Sequence, residues 1–172
     1  MSIAVVPIAI EHVEGVWRAL DVVAREGRYL ATERAPALEA SRAFVANTIA
    51  QGYPNFVALD GARVIGWCDV VGTKRLTRAH CGTLGMGVLP EWRGRGIGRR
   101  LIEAAIAAGW QHGYQRIELS VYATNEIAWR LYRSLGFVEE GRQRAAARID
   151  GAYVDVIPMA LLAPGMLPEE QQ

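Results

Sequence analysis

Val88-Leu-Pro-Glu-Trp-Arg-Gly-Arg-Gly-Ile-Gly-Arg-Arg-Leu101 decides how the rest of the chain is read. An apolar strand end runs into Pro90, alternate glycines follow at Gly94, Gly96 and Gly98, and the spacing of Ile97, Leu101, Ala105 and Ala108 predicts a helix over 97–110. Glycine reaches backbone conformations closed to other residues and lets a ligand approach the main chain. The free N–H groups of a helix's first turn attract anions. Arg93, Arg95, Arg99 and Arg100 add positive charge beside that helix start. The stretch is therefore a candidate phosphate cradle, with a solvated basic turn as the plain alternative. It is not the dinucleotide fingerprint G-x-G-x-x-G, which needs glycine where Arg99 stands, and it lacks the Gly-Lys-Ser/Thr of a P-loop.

Outward from this loop, hydrophobic periodicity divides the chain into short elements. Toward the N-terminus it predicts a strand over 3–8, a helix over 12–25, and a helix over 38–51 with Ala40, Phe44, Val45, Thr48 and Ile49 on one side. A hairpin follows, with strands over 55–59 and 63–72 around the Asp60-Gly61 turn, then a strand over 80–89. Toward the C-terminus it predicts a strand over 116–121, a helix over 126–135, strands over 137–141 and 153–161, and a loose tail over 163–172. Residues 1–162 are expected to form one domain, because 172 residues suit a single core.

Composition excludes several classes. Hydrophobic residues make up 51% and charged residues 22%, the balance of a chain that folds unaided. A formal net charge of +1 gives no global field to attract nucleic acid or an anionic membrane, so neither partner is expected. The opening MSIAVVPIAIEHVEG has no charged region ahead of its apolar run, and no stretch approaches the ~18 apolar residues of a membrane span, so a cytoplasmic location is expected. Cys68 and Cys81 lack metal-ligand spacing to each other or to His12, His80 and His112, so no metal or disulfide is expected.

A second informative stretch is Tyr122-Ala-Thr-Asn-Glu-Ile-Ala-Trp-Arg-Leu-Tyr-Arg-Ser-Leu-Gly-Phe137. Taken alone, Asn125 is a good N-cap for a helix opening at Glu126, Gly136 a good left-handed residue to close it, and Tyr132 a packing residue on an apolar stripe. Together with the first loop the segment says more. Arg93-x-x-Gly96-x-Gly98 resembles the R/Q-x-x-G-x-G/A signature of the GNAT superfamily of N-acetyltransferases, and Asn125, Ala128, Tyr132, Gly136 and Phe137 resemble its N-x-x-A-x-x-x-Y-x-x-x-G-F segment. The resemblance implies an α/β (α+β) fold with a mixed, mostly antiparallel sheet of about seven strands. That sheet is splayed between its fourth and fifth strands to admit acetyl-CoA, with helices on both faces.

Site residues follow from the same resemblance. Met86, Gly87 and Val88 would offer a strand edge to the pantetheine arm, glycine within a strand marking close approach. Arg93, Gly94, Arg95, Gly96, Ile97, Gly98 and Arg99 would surround the pyrophosphate, and Asn125, Ala128 and Tyr132 would line the cofactor from the later helix. Tyr132 would protonate the leaving thiolate, and backbone N–H groups near Val88 would stabilise the oxyanion. The base is less legible. Glu118 on the strand beside the cleft ranks first, followed by Glu33 and His80, although strand alternation also explains Glu118 as cover for a polar face.

The Arg-x-x-Gly-x-Tyr-x-Asp-like ending around Arg148, Asp150, Gly151 and Asp155 resembles a bacterial amino-acid N-acetyltransferase branch. It suggests Arg148 in the acceptor pocket, with Arg78 as the alternative carboxylate ligand, while a polar hairpin turn explains the ending equally well; the segment between the first two helices adds Glu33 to the expected pocket. The expected activity is acetyl transfer to the primary amine of a small molecule such as a free amino acid. A protein N-terminal or lysine acetyltransferase and a non-catalytic acyl-CoA-binding module remain as alternatives. Homodimerisation is left open.

Overall fold

The computed structural model describes residues 3–166. Its elements run β1 (Ile3–Pro7), α1 (Val13–Arg25), α2 (Leu38–Ala50), β2 (Asn55–Asp60), β3 (Arg63–Gly72), β4 (Cys81–Val88), α3 (Ile97–His112), β5 (Arg116–Tyr122), α4 (Glu126–Ser134), β6 (Val138–Glu139), β7 (Gln143–Ile149) and β8 (Ala152–Leu162). The strands form one sheet in the order β1-β2-β3-β4-β5-β8-β6, with β7 also pairing to β8. Every pairing is antiparallel except β4 with β5. The architecture is therefore the open, mostly antiparallel mixed sheet that the sequence implies, with eight strands in place of about seven.

The additional strand is β7, whose Gln-Arg-Ala-Ala-Ala-Arg-Ile run carries neither alternation nor β-branched residues before Ile149. Pairing makes it a strand: it lies along β8 with a register shift between Gln143 and Ala147. Asp155 holds that irregular stretch, accepting the Ala145 N–H at 2.8 Å and Arg142 Nε at 2.7 Å. Ala145 takes a left-handed φ of 51° there. The expected apolar side of α2 is also corrected. Val45 and Thr48 are buried, whereas Phe44 and Ile49 are each 44% exposed. Thr48 is inside because its hydroxyl is satisfied, donating to the Val45 carbonyl and accepting from Asn55 Nδ2. Of the expected tail, residues 163–166 form a turn in which Met166 N–H donates to the Ala163 carbonyl, and 167–172 lie outside the described residues.

What positions the site is the junction of β4 and β5. Parallel pairing joins only Cys81–Thr83 to Arg116–Glu118. Beyond it β4 stays bonded to β3 up to Val88 and β5 to β8 up to Tyr122, so each strand is held from its outer side. Their inner edges diverge with main-chain groups unpaired by any strand. Alternation sends Leu84, Met86 and Val88 to the face covered by α3, and Cys81, Thr83, Gly85 and Gly87 to the face covered by α1.

Below the split, Tyr114 wedges against β4 where it meets glycines. A Cβ on Gly82 would lie 2.4 Å from Val70 Cγ1 and 2.9 Å from the Tyr114 ring. Gly82→Val is expected to destabilise the fold by about 1–3 kcal/mol through overpacking. A lowered urea midpoint at unchanged m value checks this, and an unchanged midpoint would contradict the packing.

Candidate active site

Above the split the sheet opens into a cleft of about 450 Å³. One wall is Met86, Gly87 and Val88 of β4, the floor is the loop with Arg93, Gly94 and Gly96 and the helix start Ile97, Gly98 and Arg99, and the other wall carries Asn125, Ala128 and Tyr132. The two motifs are thereby brought to one place. Arg95 alone of the expected cofactor contacts stays outside the lining: it donates to the Glu91 carbonyl at 3.0 Å and lies over the Trp92 ring. The sequence reading missed Val23, Tyr29, Trp92, Ile127 and Leu131 in the wall. Nothing in their spacing separates them from core residues.

Gly94 and Gly96 take φ of +73° and +75°, and a Cβ on either would meet nothing within 4 Å. The glycines are thus required by backbone conformation at the edge of open space, beside the unpaired N–H groups of the α3 first turn. The Trp92 indole N–H is buried at this wall without a partner. A ligand with phosphate oxygens and an apolar arm fits such a cleft. The Arg93 guanidinium is less free than its place suggests. It donates through Nη1 at 2.9 Å and Nη2 at 2.5 Å to Glu26, and through Nε to the Val88 carbonyl. Its hydrogen bond to Glu26 holds it charged above even the usual arginine range. Tyr29 lies under the same guanidinium at 4.8 Å. Arg93 therefore ties the end of α1 to the loop, leaving anion contact there mainly to backbone N–H groups.

Tyr132 is held by α4, which Asn125 caps by accepting the Ala128 N–H and which Gly136 ends at φ +93°. Its ring packs edge-on against Phe137, and burial pushes its phenol above the ordinary value. It stays protonated through the neutral range, as a proton donor must.

A second hollow of about 370 Å³ lies at the foot of the split, lined by Thr73, Arg75, Arg78, Cys81, Thr83 and Glu118. Glu118 is brought here, but not as a free base: Arg78 donates to one oxygen at 2.5 Å and Arg116 to the other at 3.0 Å. Arg116 continues to Glu140, whose carboxyl it holds below the usual range. Both oxygens of Glu118 are thus already engaged by guanidiniums. Glu33 is exposed in the α1–α2 loop, and His80 contributes its carbonyl to the Gln115 and Arg116 N–H groups. Arg148 is not brought to this hollow. It donates to the Gly151 carbonyl in its own turn and lies over Tyr153, while Asp150 pairs with Arg28 at 3.4 Å.

One carboxylate near the split had no place in the sequence reading. Asp69 sits in β3 opposite Gly85, partly accessible although densely surrounded. Burial alone raises its carboxyl to about 7. The available signal was an acid inside the apolar run Trp67-Cys-Asp-Val-Val71.

Comparison with known proteins agrees with this geometry. Residues 19–137 match the family described as Acetyltransferase (GNAT) family. The chain is 32% identical over 111 residues to the L-amino acid N-acetyltransferase AaaT of Escherichia coli, covering 63% of this chain and 68% of that protein. It is 33% identical over 97 residues to the N-alpha-acetyltransferase RimI of Mycobacterium tuberculosis, covering 55% of this chain and 58% of that protein. Among solved structures, yncA of Salmonella typhimurium with its cofactor acetyl-CoA superposes with a TM-score of 0.90 at 17% identity, covering 98% of this chain and 99% of that one. No helix among the described residues is long and apolar enough to cross a membrane. The chain belongs to the GNAT family and is an acetyl-CoA-dependent N-acetyltransferase.

Proposed function

We propose that the acceptor is a small primary amine that also carries a carboxylate, a free amino acid or a close analogue. The observation that carries this reading is the arginine-lined hollow at the foot of the split, on the face of β4 opposite Met86 and Val88. Arg75 enters no ion pair among the described residues, and Arg78 is steadied by Glu118, so a carboxylate entering the hollow meets one free and one fixed guanidinium. Similarity to AaaT supports the reading, as does 30% identity over 114 residues to the L-methionine sulfoximine/L-methionine sulfone acetyltransferase of Pseudomonas aeruginosa. Similarity to RimI favours a peptide N-terminus instead, and the acceptor comparison below separates the two.

Acetyl-CoA supplies the activated acetyl thioester when bound. The β4 edge and the glycine loop orient it, the apolar walls at Met86 and Leu131 exclude water, and Tyr132 holds the proton for the departing sulfur. Tyr132→Phe keeps the ring against Phe137 and removes that proton. Turnover is expected to fall about 100-fold while the calorimetric affinity for CoA stays unchanged, and wild-type turnover would remove Tyr132 from this role.

Acceptor choice is tested by steady-state kinetics with a free amino acid, its decarboxylated amine and a short peptide, in wild type and in Arg75→Ala. The free acid is expected to lose about 1.5–3 kcal/mol of kcat/KM in the variant, and the decarboxylated amine almost nothing. Equal kcat/KM for acid and amine in the wild type would refute carboxylate recognition, and a preference for the peptide would establish the RimI-like reading.

A further inference from the structure

We infer that Asp69 is the carboxylate that receives the acceptor's amine and takes its proton, acting across Gly85 into the split from the face opposite Tyr132. The inference rests on the hollow beside the split being the acceptor side. It adds a residue that neither motif contains.

Position is the first support. Asp69 pairs with Gly85, and Gly85 lies just past Thr83, the last β4 residue bonded to β5. A Cβ at Gly85 would stand 3.5 Å from Asp69 Oδ1 and 3.8 Å from Oδ2. Any larger residue there would stand between the carboxylate and the open strand edge. Glycine leaves the gap, and Gly85 is exposed. On the same face of β4, Cys81 and Thr83 line the hollow with Arg75 and Arg78. An amino acid held there by its carboxylate has its amine next to the carbon that bears it, so the amine reaches up the strand toward Gly85.

The second support is what surrounds the group. No hydrogen bond or ion pair reaches the Asp69 carboxylate among the described residues, although ten other acidic side chains at the surface are paired, as Glu118 is with Arg78 and Arg116. β4 carries no charged residue between Cys81 and Val88, and β2 offers the neutral Asn55, which bonds to Thr48. Across the split β5 presents Glu118 and Tyr122, the latter donating to the Leu30 carbonyl. The charged residues of α1 pair with one another at its surface, Glu14 with Arg18 and Asp21 with Arg25, and α2 keeps Glu39 and Arg42 exposed. The adjacent Cys68 thiol is pushed up by burial and stays neutral. Desolvation therefore acts on Asp69 without an offsetting cation, which leaves a carboxyl that titrates at about 7 and can both hold an ammonium and accept its proton.

The step balances. The nitrogen sheds a proton to Asp69 and its lone pair forms the N–C bond. The C–S bond breaks with its electron pair on sulfur, and sulfur takes the Tyr132 hydroxyl proton. The second nitrogen proton and that on Asp69 pass to water, from which Tyr132 is reprotonated, so the net products are the acetamide, the thiol and one proton per ammonium consumed.

Asp69→Asn reproduces the shape of the protonated acid and cannot accept a proton. The test is the ratio of wild-type to Asp69→Asn kcat/KM for one amine across pH, in which the amine's own titration cancels. With a midpoint of about 7, the ionised fraction rises from about a tenth at pH 6 to about nine-tenths at pH 8, so the ratio should rise about tenfold. A ratio that is constant with pH, or equal to one at pH 8, overturns the assignment. Because any amine that turns over serves, failure of the amino-acid reading alone leaves the ratio intact. A second measurement needs no acceptor and no turnover: carbon-13 NMR of wild-type protein labelled at aspartate carboxyls. One resonance should titrate near neutrality; all aspartates titrating in the ordinary acidic range would also overturn the proposal, even if the variant fails to fold.

Discussion

Three residue pairs, Cys81–Thr83 with Arg116–Glu118, join two halves of a sheet that is otherwise antiparallel. Were the pairing longer, the β4 edge from Leu84 to Val88 would be spent on β5 and the cleft would close; were it absent, the halves would have no fixed angle. Glycine and a buried aromatic make so short a junction firm. Tyr114 packs where Gly72 and Gly82 leave room, and Ile117 is fully buried beside it. The surrounding core, with Ile65, Leu101, Ile102 and Met159 inaccessible, then holds both strands from their outer sides. Cleft and hollow are two sides of the same divergence.

Arginine serves different ends in this small space. Arg93, Arg116 and Arg99 hold protein groups, respectively Glu26, Glu140 and the Ser134 hydroxyl. Arg75 has no such partner among the described residues. A chain whose basic and acidic residues nearly balance can therefore present local positive character without a global field.

The fold was legible because its signals are local. Pro90, the glycine run and the periodicity of Ile97, Leu101 and Ala105 fix a strand-loop-helix unit, and Asn125 with Gly136 brackets another helix. Most of the cleft lining was readable for the same reason, since it is built from those two stretches. Of the hollow at the foot of the split, Arg78 and Glu118 were in view and Arg75 was not. β7 exists only through its pairing with β8 and the hold of Asp155, neither of which has a periodic signature. Arg148 read as a ligand from its neighbours in sequence, and its turn satisfied it instead. Glu118 and Asp69 show the limit most clearly: both are strand acids, and only tertiary contacts decide that one is clamped by two arginines while the other is left alone under a glycine.

The α1–α2 loop bridges the two halves of the sheet. Tyr29 lines the cofactor cleft beneath Arg93, Leu30 accepts the Tyr122 hydroxyl, and Arg28 reaches Asp150 in the β7–β8 turn. A segment held to both halves opposes a change in the angle between them, so the width of the cleft at Tyr29 is set partly by contacts that lie outside it. Loss of the Tyr122 hydroxyl therefore acts on the breadth of the cleft before it acts on any group lining it.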